Sequence, residues 1–373
     1  MFYNTCILLI SLVEIVITAN LFCNALEHLG EKIGIADGVT GSIFAAVATA
    51  LPETIIPIIA LLNFDVNNST INNPTTNNHH EIGLGAILGA PLMLSTLSLF
   101  IMGLSLIKKR GVFGRINPEF STIKRDLQFF LFSYGLAFLA IFVQKTVWHV
   151  VLNGFIAICL GGIYFIYVLL TIRESKLHVA SGNTTTASEP LFISKLINKF
   201  SKFNGKFSNG NTRVSSIIIE ENLPIIIFQL IFALFILIYF ANLFINSISF
   251  IALSYHLSAF LLSLFIIPIA TELPEKVNSI IWLSKGKDTL ALGNITGAMM
   301  FQGSLLPIIG ILFTSWSLDN ILPVFGICIT LIASLWFYLN ICRKQLFVWQ
   351  FLLNGLFYLL YILICVFMYI YPF

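Results

Sequence analysis

The sequence predicts an all-α polytopic membrane protein, with ten transmembrane helices arranged as two inverted five-helix repeats and helices broken at matching positions of the two halves. Three observations lead there. The 373 residues are 58% hydrophobic and only 10% charged, with a mean hydropathy of +0.93, which excludes an ordinary soluble domain. The lysines and arginines crowd into alternate connections between apolar runs. A six-residue phrase also occurs twice, as Ala48-Thr49-Ala50-Leu51-Pro52-Glu53 and, 222 positions later, as Ala270-Thr271-Glu272-Leu273-Pro274-Glu275.

Ten runs are long enough for a hydrocarbon core of roughly 30 Å. They cover residues 3–26, 38–62, 82–107, 127–144, 147–171, 223–245, 248–284, 288–314, 319–340 and 347–371. With the N-terminus outside, the connections 27–37, 108–126, 172–222, 285–287 and 341–346 face the cytoplasm and hold 18 of the 20 basic residues. Only Lys145 and Lys276 lie elsewhere, and the opposite loops at 63–81 and 315–318 carry no Lys or Arg. Both termini are therefore expected outside.

The first run has neither a basic leader nor a small-residue cleavage site, so it is expected to be a retained helix. Residues 1–171 form the first repeat and 223–373 the second. Residues 172–222, rich in Ser, Thr, Asn, Gly and Lys, are expected to be a cytoplasmic linker, partly amphipathic around Phe192 to Phe203. An odd number of spans per half makes the second repeat enter the bilayer from the other side. Inverted repeats with interrupted helices at corresponding positions point to secondary transporters that bind their cargo near the midplane.

The repetition extends past the phrases. Leu84-Gly85-Ala86-Ile87-Leu88-Gly89-Ala90 answers Leu292-Gly293-Asn294-Ile295-Thr296-Gly297-Ala298 at an offset of 208, and the 14-residue difference is absorbed by the polar stretch 63–81. Glycines four apart share a helix face and allow close helix approach, so these are read as packing residues and not as ligands. The six cysteines show no C-x-x-C or Cys/His cluster, which gives no sign of disulfides or zinc. The overlapping sequons at Asn67 and Asn68 are what an Asn-rich loop produces by chance.

Each phrase puts a proline and an acid inside an apolar run. Proline removes a helical hydrogen bond, and a carboxylate at the membrane centre costs about 2.5–3.5 kcal/mol on insertion scales. Two such costs at matching positions imply a task. A hard divalent cation needs oxygen ligands and negative charge. Glu53 and Glu275 supply two carboxylates, and a break before each proline frees carbonyls near Thr49 and Thr271, whose hydroxyls are also available.

These residues resemble the alpha repeats of the sodium/calcium exchanger (cation/Ca²⁺ antiporter) superfamily, where T-x-L-P-E cores are followed by glycine-spaced helices. The resemblance covers the inverted 5+5 layout. It implies that Glu53, Glu275, Thr49 and Thr271 form a central Ca²⁺ site, with Na⁺ sites alongside that share the glutamates. Departures are specific. The motif serine after threonine is Ala50 in one repeat and Glu272 in the other, the serine after the second glycine is Ala90 and Ala298, and the distal Asn/Asp positions are Leu94 and Gln302. Oxygen donors for Na⁺ are lost and one carboxylate is added, which tilts the expected counter-ion toward H⁺ without deciding it. Gln302 keeps a carbonyl oxygen at its motif position and is the second-tier ligand.

Lys276 follows the second-phrase glutamate within the span, four residues after Glu272 in the favourable acid-first order. It is expected to pair with Glu272, or to act as a tethered counter-cation, or else to snorkel toward the inner interface. Glu53, Glu272 and Glu275 less Lys276 leave a charge of −2, which matches one divalent ion. Glu14 in the first run is read either as lining a pathway or as structural, being near a span end, and is left outside the site. His149 and His256 lack ligand spacing and are read as packing or interface residues.

The expectation is thus a secondary antiporter of the bilayer, suited to a bacterial inner membrane, exchanging Ca²⁺ for Na⁺ or H⁺ by alternating access at a shared glutamate site. No cofactor and no nucleic-acid partner are expected. A passive cation channel, a non-transporting relative and an exchanger of another divalent cation are the alternatives. An intramembrane enzyme is disfavoured because the sequence offers no nucleophile dyad, metal-histidine set or phosphate loop.

Overall fold

The computed structural model describes residues 2–33, 51–67, 74–143, 148–179, 190–192, 222–255, 257–314, 316 and 321–370. Thr49, Lys145, His256, the sequon triplets past Asn67 and most of the 172–222 linker lie outside the described residues. In lipid every backbone N–H and C=O must be satisfied within its own segment, and the described chain is accordingly almost all helix.

The first repeat contains α1 (Phe2–Ile33), α2 (Leu51–Asn67), α3 (Pro74–Met93), α4 (Leu99–Arg110), α5 (Phe120–Val143) and α6 (His149–Val179). A π-helical turn, Leu94–Ser98, joins α3 to α4. The second repeat contains α7 (Leu223–Tyr255), α8 (Ala259–Thr271), α9 (Leu273–Ser284), α10 (Asp288–Phe313), α11 (Ile321–Cys342) and α12 (Val348–Ile370). Among the described residues, eight helical segments are long and apolar enough to cross a membrane, and two shorter apolar stretches, Glu53–Leu62 and Ala259–Ile269, lie at the repeated phrase.

Several boundaries differ from expectation: α1 runs on to Ile33, and α6 runs to Val179, into the expected linker. The sixth span does not end at residue 245 with a seventh starting at 248, because α7 runs on to Tyr255. Residues 246–255 contain neither Pro nor Gly, so nothing stops the helix there. The chain turns afterwards, where the Ser258 hydroxyl accepts the Leu261 N–H at 3.3 Å and caps α8. The polar stretch 63–81 is also partly helical: α2 extends to Asn67, and α3 starts at Pro74, whose fixed φ suits a first helical turn.

The main core gathers α3 to α6 and α8 to α12 around buried side chains such as Phe130, Tyr134, Phe351 and Tyr361. A second cluster joins α1, α2 and α7 to one face of α3 and α8 through Ile15, Ile56, Ile82, Phe244 and Ile267. Within it α1 and α7 run along each other. Exposed apolar side chains such as Phe155 and Ile158 on α6, Phe235 on α7 and Leu363 on α12 form the lipid-facing surface of such a bundle.

Three of the basic connections meet at one end of the molecule. α4 ends on Lys108, Lys109 and Arg110, with Gly111 at φ 73° turning the chain out of the helix. Arg110 donates to both Asp288 oxygens at 2.7 and 2.6 Å, and the Asn117 N–H donates to Asp288 Oδ2 at 2.9 Å. Beside them β1 (Arg115–Ile116) pairs antiparallel with β2 (Leu346–Phe347), Arg115 opposite Phe347. Residues 190–192 of the linker dock on the first span, with Leu191 buried and the Phe192 N–H donating to Asn24 Oδ1 at 3.1 Å.

Candidate ion site

The second phrase interrupts its helix as the proline requires. α8 stops at Thr271, Glu272 sits between the two helices at φ −89° and ψ 6°, and α9 begins with Leu273-Pro274. Pro274 has no N–H to offer the carbonyl of Ala270 four residues before it, so that oxygen lacks its helical donor. The turn is otherwise tight. Glu272 N bonds Pro268 O, and Lys276 N bonds Glu272 O, both at 3.2 Å.

Four of the candidate side chains are buried: Glu53 at 2% exposure on α2, Thr271 at 2%, Glu272 at 0% and Gln302 at 1% on α10. Thr271 donates its hydroxyl proton to Ile267 O at 3.0 Å, which leaves oxygen lone pairs for a cation. Gln302 Nε2 lies 3.4 Å from Glu272 Oε1 and joins α10 to the break. Glu275 is the third residue of α9; its side chain and all of Thr49 lie outside the described residues.

Lys276 does not snorkel. It is 5% exposed, and its Nζ lies 3.4 Å from Glu272 Oε2, 3.2 Å from the Met93 sulfur and 3.4 Å from Pro268 O. The pairing expected from the four-residue spacing is present. The Met93 contact, which reaches the first repeat 183 positions away, had no signal in the sequence.

The glycine face of α3 packs against α8. A Cβ on Gly85 would lie 2.5 Å from Phe260 O, and one on Gly89 would strike Leu264 O and come within 2.8 Å of Pro268 Cγ. This is the close approach that small residues allow, and it presses α3 onto the turn before the phrase. Gly293 meets nothing within 4 Å; the stretch 222 positions before Phe260–Pro268, residues 38–46, lies outside the described residues.

Further buried polar groups link helices elsewhere in the bundle. Asn294 Nδ2 donates to Ser279 Oγ at 3.1 Å, tying the glycine-spaced helix to α9. Asn354 on α12 donates to Ser95 O of the π turn at 2.7 Å, supplying a donor where the helical ladder is irregular. Asp126 on α5 accepts from Thr296 Oγ1 at 2.8 Å and pairs with Arg125 at 3.2 Å. A polar residue inside an apolar run was the available signal for Asn294 and Asn354, whereas Asp126 sits at the end of a basic connection and gave none. Glu14 is half-buried on α1, and His149 is exposed at the start of α6. Among the described residues, no three His, Cys, Asp or Glu side chains converge to hold a metal ion.

The family model for the sodium/calcium exchanger protein matches residues 3–173 and 225–369. The chain belongs to this family, whose members are membrane transporters and not enzymes. In fold it is similar to the crystal structure of the H⁺/Ca²⁺ exchanger CAX, with a TM-score of 0.67 at 14% identity over 99% of this chain and 82% of that one. It is also similar to the sodium-calcium exchanger NCX_Mj soaked with 2.5 mM Na⁺ and 0.1 mM Sr²⁺, with a TM-score of 0.54 at 18% identity over 97% of this chain and 98% of that one. No curated protein matches the chain by sequence.

Proposed function

We propose that the protein is a secondary antiporter that exchanges Ca²⁺ for Na⁺ or H⁺ across the bacterial inner membrane, with Glu53 and Glu275 as the shared carboxylates. Thr49 and Thr271 add hydroxyl and carbonyl oxygens, and Glu272 and Gln302 form the adjoining layer. The observation that carries this reading is the burial of Glu53 on α2, together with the broken helix at the second copy of its phrase. A carboxylate held away from water within an apolar bundle needs a cation or a proton, and the family exchanges such ions.

Coupling follows from competition. Two carboxylates match the charge of one divalent cation, and their protonation or occupation by Na⁺ displaces it. Alternating exposure of the site to the two sides then converts one gradient into the other. The two structural relatives are an H⁺-coupled and a Na⁺-coupled exchanger, so both counter-ions have a precedent in this fold.

Ca²⁺ accumulation into inside-out vesicles tests this reading, driven in turn by an outward Na⁺ gradient and by an acidic lumen. Uptake above the equilibrium level under one gradient identifies the antiporter and its counter-ion. Equilibration without accumulation identifies a channel, and no flux of Ca²⁺ or of another divalent cation rejects transport by this site.

A further inference from the structure

Lys276 carries a full positive charge into a site built for transported cations, and three features fix what it does there. The first is its direction. A lysine in the first turns of α9 reaches water by extending its stem along the helix surface, yet this side chain is 5% exposed and folds back over the break. The second is the acceptor set. An ammonium has three N–H donors; Nζ donates to the Met93 sulfur at 3.2 Å and to Pro268 O at 3.4 Å, and forms an ion pair with Glu272 Oε2 at 3.4 Å. These acceptors come from both repeats, and the other Glu272 oxygen faces Gln302 Nε2. The third is charge. Glu272 and Lys276 cancel, so the two remaining phrase glutamates balance one divalent cation without a second ion.

We propose that Lys276 is a tethered cation: its ammonium permanently occupies a monovalent-cation position formed by Glu272, the Pro268 carbonyl and Met93, and so removes that position from the transport cycle. Lys276 is thereby a specificity-determining residue. It makes ion binding independent of any second, freely diffusing alkali cation. The inference rests on the reading of Glu53 and Glu275 as the Ca²⁺ carboxylates, and it adds that Glu272 serves the tethered ammonium and not Ca²⁺. A purely structural staple between α9 and α3 would leave cation selectivity untouched.

The test uses the full-length protein in detergent, with thermal unfolding followed at constant ionic strength in NaCl, KCl or N-methylglucamine chloride, without Ca²⁺. The wild-type midpoint is expected to be the same in KCl and in N-methylglucamine chloride, and any wild-type shift in NaCl, where Na⁺ occupies Glu53 and Glu275 as counter-ion, is subtracted from that of the variants. Lys276→Ala is expected to unfold at a lower temperature in N-methylglucamine and to be restored by Na⁺ or K⁺ in a saturable manner, and Glu272→Gln added to it should abolish that restoration. A Lys276→Ala midpoint indifferent to alkali cations, or a wild type stabilised by them equally, overturns the proposal.

A second arm reads Ca²⁺ binding calorimetrically and decides the matter if Lys276→Ala does not fold. Glu272→Gln leaves the ammonium beside the Ca²⁺ site without its carboxylate and should weaken Ca²⁺ at least about tenfold, a change of about 1.4 kcal/mol. Glu272→Gln with Lys276→Met should return to within about threefold of wild type. Failure of the double variant to recover makes Glu272 a direct Ca²⁺ ligand and overturns the proposal. A wild type that binds no Ca²⁺ instead rejects the Ca²⁺ site, while the alkali-cation arm still reports on Lys276.

Discussion

Arg110 at the end of α4 and Asp288 at the start of α10, 178 positions apart, form a two-pronged ion pair that clasps the first repeat to the second. The planar guanidinium matches both carboxylate oxygens, and the Asn117 N–H and the Leu283 carbonyl complete the set. The pair is only partly exposed, at 22% and 8% for the two side chains, so water screens it incompletely.

Arg110→Ala and Asp288→Ala are each expected to lower stability by about 1–3 kcal/mol. The double variant should fall no further than the worse single, because the two groups share one interaction. Apparent unfolding midpoints of the purified variants check this. Additive losses would mean that the two side chains act independently.

Gly89→Ala is expected to destabilise the protein by about 1–3 kcal/mol, because its methyl would meet the Leu264 carbonyl and the Pro268 ring. Gly154→Ala on α6 is the control. Nothing lies within 4 Å of a Cβ there, and the gain in helix propensity should leave stability unchanged or raised by up to about 1 kcal/mol. The same midpoints report both.

Thr296→Val removes the donor to the buried Asp126 carboxylate and should cost about 1–3 kcal/mol, whereas Thr296→Ser keeps the donor and should cost less than half of that. Side-by-side unfolding of the two variants separates the lost hydrogen bond from the lost volume.

Much of this organisation was legible in the sequence because it is written locally. The repeated phrase predicted a helix break, and Pro274 produces one at Glu272. The Gly85–Gly89 spacing predicted a close helix approach, and the Glu272–Lys276 spacing predicted an ion pair; both are present. The clasp was not legible, because Arg110 and Asp288 are ordinary loop-flanking charges until folding brings them together. Nor was the Met93 contact with Lys276, since a thioether in an apolar run carries no sign of its partner. The continuation of α7 to Tyr255 was misplaced because a run of Ser, Ile, Phe and Ala without Pro or Gly offers no boundary to read.

The positive-inside bias makes a sided prediction. The connections around Phe113 and Lys344 meet at one end of the molecule through the β1–β2 pair. Single cysteines placed at Phe113 and Lys344 in a cysteine-free background should react with an impermeant thiol reagent from the cytoplasmic side only, and one at Asn72 from the outside only. The reverse pattern would invert the orientation; labelling of Phe113→Cys and Lys344→Cys from opposite sides would contradict the fold.

Equilibrium exchange of radioactive Ca²⁺ in proteoliposomes, without an imposed gradient, tests most directly whether the two repeats hold one ion between them. The comparison is between wild type, Glu53→Gln, Glu275→Gln and the double variant. If both carboxylates serve a single Ca²⁺, each single substitution should drop exchange below about a tenth of the wild-type rate, and the double should be no slower than the worse single. Exchange near the wild-type rate in either single variant, with the protein verified in the membrane, would contradict a shared site.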